Sequence, residues 1–109
     1  MLNIKQRQQN LQTYYLFYNG KIDGIEGVNT KKAYRSFQKF VGITVDGIYG
    51  RNTNEKLVGV IKDLQGKLNS HGYNLAVDGI VGNNTINAIK EFSKEKWISS
   101  RWNRRNKYI

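Results

Sequence analysis

The chain has 109 residues with 39% hydrophobic side chains, 18 Lys+Arg against 8 Asp+Glu, a net charge of +10 and no cysteine. This is enough apolar material for a packed domain of one or two small units, and it argues against a disordered chain, while the lack of cysteine excludes a disulfide framework and any thiolate chemistry. No apolar run reaches the ~18–20 residues of a membrane span, and MLNIKQRQQN lacks the apolar stretch of a secretory signal, so a cytoplasmic start or a place within a larger chain is expected.

The first element reads as a helix with Ile4, Leu11, Tyr15 and Tyr18 on one face. Asn19, Gly20 and Gly24 break it. A second amphipathic helix carries Ala33, Phe37 and Val41 at i, i+4 and i+8, flanked by Tyr34 and Phe40. A third places Leu57, Val60, Ile61, Leu64 and Leu68 inward and stops near Gly72, a residue suited to the position just past a helix end. A fourth turns Ile86, Ala88, Ile89 and Phe92 inward. The tail KWISSRWNRRNKYI is basic and holds both tryptophans.

One octet, D-G-I-x-G-x-N-T, occurs three times: DGIEGVNT from Asp23, DGIYGRNT from Asp46 and DGIVGNNT from Asp78. Asp-Gly is a turn pair, with the Asp side chain able to bond backbone amides and Gly tolerating positive φ. Asp23, Gly24 and Gly27, Asp46, Gly47 and Gly50, and Asp78, Gly79 and Gly82 are therefore structural loop residues. Ile25, Ile48 and Ile80 are expected to plug each loop into the core. Either the second Gly or the Thr caps the helix that follows. A calcium loop needs several acidic oxygens, whereas each copy has one Asp and only the first adds an acid, Glu26.

The longer stretch DGIEGVNTKKAYRSFQ aligns without gaps to DGIVGNNTINAIKEFS. An all-α fold follows: a small helical bundle of two helix–loop–helix repeats, residues 1–58 and 59–109, packed as one compact unit.

These motifs resemble the peptidoglycan-binding domain found beside catalytic domains in cell-wall hydrolases. LQGKLNSHGY, the AYRSFQ and AIKEF helices and the three octets carry the resemblance. The second copy looks truncated, because the basic tail stands where its closing octet would come. The resemblance implies a small helical bundle that anchors a wall-lytic enzyme to peptidoglycan, with a phage endolysin as the expected setting and the bacterial wall as the place of action. Peptidoglycan, anionic wall polymers and a hydrolase domain are the expected partners, with no cofactor and no metal.

Catalysis is not expected. His71 is the single histidine and falls at a helix end, where a surface position is the simpler reading. A zinc site needs two or three His with an acid, and a catalytic carboxylate pair is normally unique rather than triplicated. Candidate ligand contacts are Tyr49, Arg51 and Asn52 in the middle octet, with Tyr18, Asn29, Asn84 and Trp102. Tyr15 and Tyr34 read as core. The alternative function is nucleic-acid binding by the tail, with phosphate contacts from Arg101, Arg104, Arg105 and Lys107 and stacking by Trp102.

Overall fold

The computed structural model describes residues 1–93. Among them are four helices and no strand: α1 (Ile4–Thr13), α2 (Val28–Val41), α3 (Arg51–Ser70) and α4 (residues 83–93). The fold is all-α, as the periodicities require. The third helix is continuous through residues 58 and 59, so the division between the two repeats falls inside it.

Helix α1 begins with a reciprocal cap. Asn3 Oδ1 accepts from Gln6 N at 2.8 Å, and Gln6 Oε1 accepts from Asn3 N at 2.9 Å, which satisfies two otherwise orphaned amides. The helix ends earlier than its apolar spacing suggests. After Thr13 the chain turns through Tyr15 and Leu16, both left-handed at φ 55°. The expected face is therefore split. Tyr15 is 71% exposed, while Tyr18 is buried from the loop rather than from the helix. The residues α1 itself buries are Gln8, Asn10 and Leu11. Two of these are polar, so a search for apolar stripes passes over them.

Helix α2 buries Ala33, Tyr34 and Phe37 as expected, together with Gln38, and leaves Phe40 exposed. Helix α3 buries Leu57, Ile61 and Leu68, together with Gln65. Its end matches the expected stop: Gly72, at φ 101°, follows the C-cap His71, with Gly72 N bonded to Asn69 O and Tyr73 N to Leu68 O. These bonds satisfy two of the terminal carbonyls. Leu11, Ala33, Tyr34, Phe37 and Leu57 form the centre of the core, where α1, α2 and α3 meet. Burying each large apolar side chain there contributes about 1.5–3 kcal/mol.

The third loop is tied back to the first helix. Asn10 Nδ2 donates to Gly79 O at 2.9 Å, and Val81 N donates to Asn10 Oδ1 at 3.0 Å, across 69 and 71 residues of sequence. The N-terminus is tied as well, since Leu2 N donates to Asn54 Oδ1 on α3 at 3.0 Å.

Candidate functional site

Each octet is folded around one buried glutamine from the preceding helix. In the middle copy, Gln38 Nε2 donates to Asp46 Oδ1, Ile48 O and Thr53 Oγ1, each at 3.0 Å. Its Oε1 accepts from Asp46 N at 3.1 Å and Gly47 N at 3.0 Å. Gln65 makes the same five contacts in the third copy, with Asp78, Ile80, Thr85 and Gly79. Gln8 makes them in the first, with Asp23, Ile25, Thr30 and Gly24, and also meets Tyr18 Oη at 3.3 Å. A buried amide side chain with both ends satisfied fixes the loop's shape at little desolvation cost.

The Asp closes the turn on itself. Asp23, Asp46 and Asp78 each accept the amide of the Ile two residues on at 2.9 Å. For Asp23 this bond, followed by the one from Gln8, holds the carboxyl below its ordinary value. The following Gly is left-handed in all three copies: φ 76° at Gly24, 71° at Gly47 and 76° at Gly79. The second Gly, not the Thr, is the helix cap, and the Thr hydroxyl goes to the glutamine instead.

One expectation is overturned in the first two copies. Ile25 and Ile48 do not plug the core, at 67% and 68% exposed, whereas Ile80 is partly buried and packs against the core as expected. The turn bond and the glutamine hold the Ile backbone inward at both N and O, which sends its side chain outward. The next residue then faces in: Tyr49 and Val81 are buried, and Glu26 reaches Arg7 and Tyr34. The register is off by one residue from the sequence expectation.

Tyr49 lies under Arg7, whose guanidinium carbon sits 4.1 Å from the ring centroid, and its hydroxyl donates to Asn54 Oδ1 at 2.8 Å. Arg7 Nη1 also meets Glu26 Oε2 at 3.1 Å, and Tyr34 Oη donates to the same oxygen at 2.7 Å. Burial pushes the Tyr34 phenol up to about 12. This cluster joins the first two octets by structural contacts.

The ligand candidates fall into three groups. Tyr18 and Tyr49 are buried, with hydroxyls bonded inside the protein, so neither offers a ring face. Arg51, Asn29, Asn52 and Asn84 are exposed at the starts of α2, α3 and α4. Trp102 and the basic run through Lys107 lie outside the described residues. Tyr34 is core as expected, and Tyr15 is not. His71 is exposed at the end of α3, with its ring 4.9 Å from that of Phe92.

Two grooves open beside the loops at equivalent places. One, of 300 Å³, lies between Ile43, Thr44, Ile48 and Asn52; the other, of 360 Å³, lies between Leu75, Ala76, Ile80 and Asn84.

The glutamines were not singled out as loop-organising residues from the sequence. The signal was weak because their distance to the octet Asp differs, at 15, 8 and 13 residues. What they share is a preceding helix and an Asp-Gly ahead, and only folding brings these into register.

A thrice-used loop with one glutamine behind each copy defines a helical repeat module. The family model described as "Putative peptidoglycan binding domain" matches residues 2–57 and again 59–95, and the chain belongs to that family. Among curated proteins it is similar to the spore cortex-lytic enzyme of Oceanobacillus iheyensis, 51% identical over 51 residues, covering 47% of this chain and 18% of that protein. It is 42% identical over 57 residues to the spore cortex-lytic enzyme of Bacillus subtilis, covering 51% of this chain and 18% of that one. It is 36% identical over 64 residues to the N-acetylmuramoyl-L-alanine amidase CwlL of Bacillus licheniformis, covering 54% of this chain and 18% of the amidase. The matched region is thus less than a quarter of each relative. No solved structure gives a significant match. Among the described residues no helix is long and apolar enough to cross a membrane.

Proposed function

We propose that this chain is a non-catalytic anchor that binds peptidoglycan and holds a wall-lytic enzyme on the wall. The observation that carries the reading is the double match to the peptidoglycan-binding family over residues 2–57 and 59–95. The relatives support the enzyme partner, since each is named for a spore cortex-lytic or amidase activity and resembles this chain over a small part of its own length. The phage-endolysin setting is the narrower form of the same reading. The net charge of +10 favours a wall that also carries anionic polymers. The two units, residues 1–58 and 59–109, act on this proposal as one body.

Co-sedimentation with purified sacculi at moderate salt tests it. The chain is expected in the pellet, with no dye released from labelled sacculi by the chain alone. Recovery in the supernatant refutes wall binding, and dye release refutes the non-catalytic part.

A further inference from the structure

The octet holds eight positions, and the fold accounts for most of what repeats in it. Asp makes the turn, the first Gly takes positive φ, the second Gly caps the helix and Thr bonds the glutamine. Two repeated residues remain. Asn29, Asn52 and Asn84 are exposed, cap nothing, and their side chains make no hydrogen bond to a described residue. Ile25 and Ile48 expose most of their surface, whereas Ile80 is partly buried against the core and still lines the groove beside it. Neither type is needed by the turn, yet each recurs in all three copies.

In the second and third copies this Ile–Asn pair lines the two grooves. The linings correspond position by position, with Ile43 opposite Leu75 as the aliphatic wall, Ile48 opposite Ile80 and Asn52 opposite Asn84. The first octet has Gly20 and Lys21 where the others have Ile43–Thr44 and Leu75–Ala76, so it lacks the aliphatic wall. Each groove thus offers an apolar surface beside a free amide able both to donate and to accept. The complementary group is a small methyl joined directly to an amide.

We infer that each groove receives the acetamido group of an N-acetylhexosamine, its methyl against Ile48 or Ile80 and its amide on Asn52 or Asn84. The inference rests on the wall-binding reading and names the chemical group that the wall presents. A glycan strand repeats this group along its length, and a site used twice in one chain suits a ligand that repeats. Two weak contacts on one strand then add by effective concentration rather than by new contacts.

The test is titration of the full chain with chitin tetrasaccharide, which carries acetamido groups and no peptide, observed by amide NMR shifts. De-N-acetylated tetrasaccharide and an alanine-containing stem peptide are the controls. Shifts are expected at residues 43–53 and 75–85 with the acetylated sugar and not with the deacetylated one. Asn52→Ala with Asn84→Ala should weaken binding about tenfold or more, the loss of an amide hydrogen bond at each groove. Ile48→Ser tests the methyl contact in the same way. All three positions are solvent-facing or half-buried, and an unchanged melting temperature checks that each variant is folded; Asn52→Asp with Asn84→Asp serves if the alanine pair is not. Shifts elsewhere, an equal response to the deacetylated sugar, shifts at these residues with the peptide alone, or full affinity in the variants each overturn the assignment. Sacculus retention of the same protein separates the two levels. Retention without a chitin response sinks the groove and leaves wall binding standing, whereas loss of retention sinks wall binding itself.

Discussion

Gln38→Glu changes one nitrogen to oxygen and leaves volume and shape alone, so its effect isolates the polar network. The native amide supplies two hydrogens to three oxygens, those of Asp46, Ile48 and Thr53. An ionised Glu supplies none and faces the Asp46 carboxylate. A protonated Glu supplies one, so two of the three acceptors still lose their donor. At about 1–3 kcal/mol for each buried group left unsatisfied, and with Asp46 and Ile48 partly open to water, the loss should be about 3–5 kcal/mol. That is a large fraction of the ~5–15 kcal/mol available to a domain. Urea unfolding followed by circular dichroism at several pH values measures it. The buried Glu would have a folded pKa raised above its ordinary ~4.3, so the destabilisation should grow as pH rises above that value and shrink in acid. A loss below about 1 kcal/mol at neutral pH, or one independent of pH, would show that the glutamine is not what holds the loop.

Phe37→Ala removes a fully buried ring and should cost about 3–5 kcal/mol by the same unfolding assay; a cost below about 1 kcal/mol would place Phe37 outside the core. Gly79→Ala should be worse than Gly24→Ala. Both demand positive φ, but at Gly79 the new Cβ would lie 2.5 Å from Val58 Cγ1 and 3.0 Å from Val58 O, whereas at Gly24 it meets only the flexible Lys5 at 3.2 Å. Backbone strain adds ~1–2 kcal/mol in each and overpacking ~1–3 kcal/mol more at Gly79, and equal melting temperatures would refute the ordering. Tyr34, pushed up to about 12 mainly by burial, should stay un-ionised in the folded chain well past the ordinary value of about 10. The stability it contributes is whole below about pH 10 and is lost as pH rises from there to about 12, a slope that Tyr34→Phe should reduce.

The helices were legible because their apolar residues recur at helical spacing: α3 and α2 bury Leu57, Ile61, Ala33 and Phe37 as that spacing requires. The end of α1 was not. Tyr15 and Tyr18 continue the period, but the chain turns at Tyr15 and Leu16 in a conformation that no local residue type announces. The loop chemistry was half legible. Asp-Gly declares a turn by itself, whereas the glutamine is invisible until a helix delivers it from 8 to 15 residues away. An apolar residue among polar ones suggests burial, but at Ile25 and Ile48 the backbone is held by two bonds, N–H to the octet Asp and O to that same glutamine, which leave the side chain outside.

The three octets differ at two positions, Glu26/Tyr49/Val81 and the exposed Val28/Arg51/Asn83, and agree at the exposed Asn as well as at the buried Thr. Glu26, Tyr49 and Val81 occupy one octet position; the first two share Arg7 and Tyr34, whereas Val81 N is held by Asn10. Their variety follows from the asymmetry of the interior, where two loops meet at the Arg7–Tyr34 cluster and the third is tied to Asn10. Surfaces normally vary more freely than cores, so constancy at exposed Ile and Asn runs against the usual direction. Internal packing bears on one variable position and leaves the exposed Asn, with Ile25 and Ile48, without a reason inside the molecule. Triplication counts against catalysis at the octet, because a reaction needs one complete site. The groove lined by the Ile–Asn pair occurs twice, which suits a polymer that offers the same group many times.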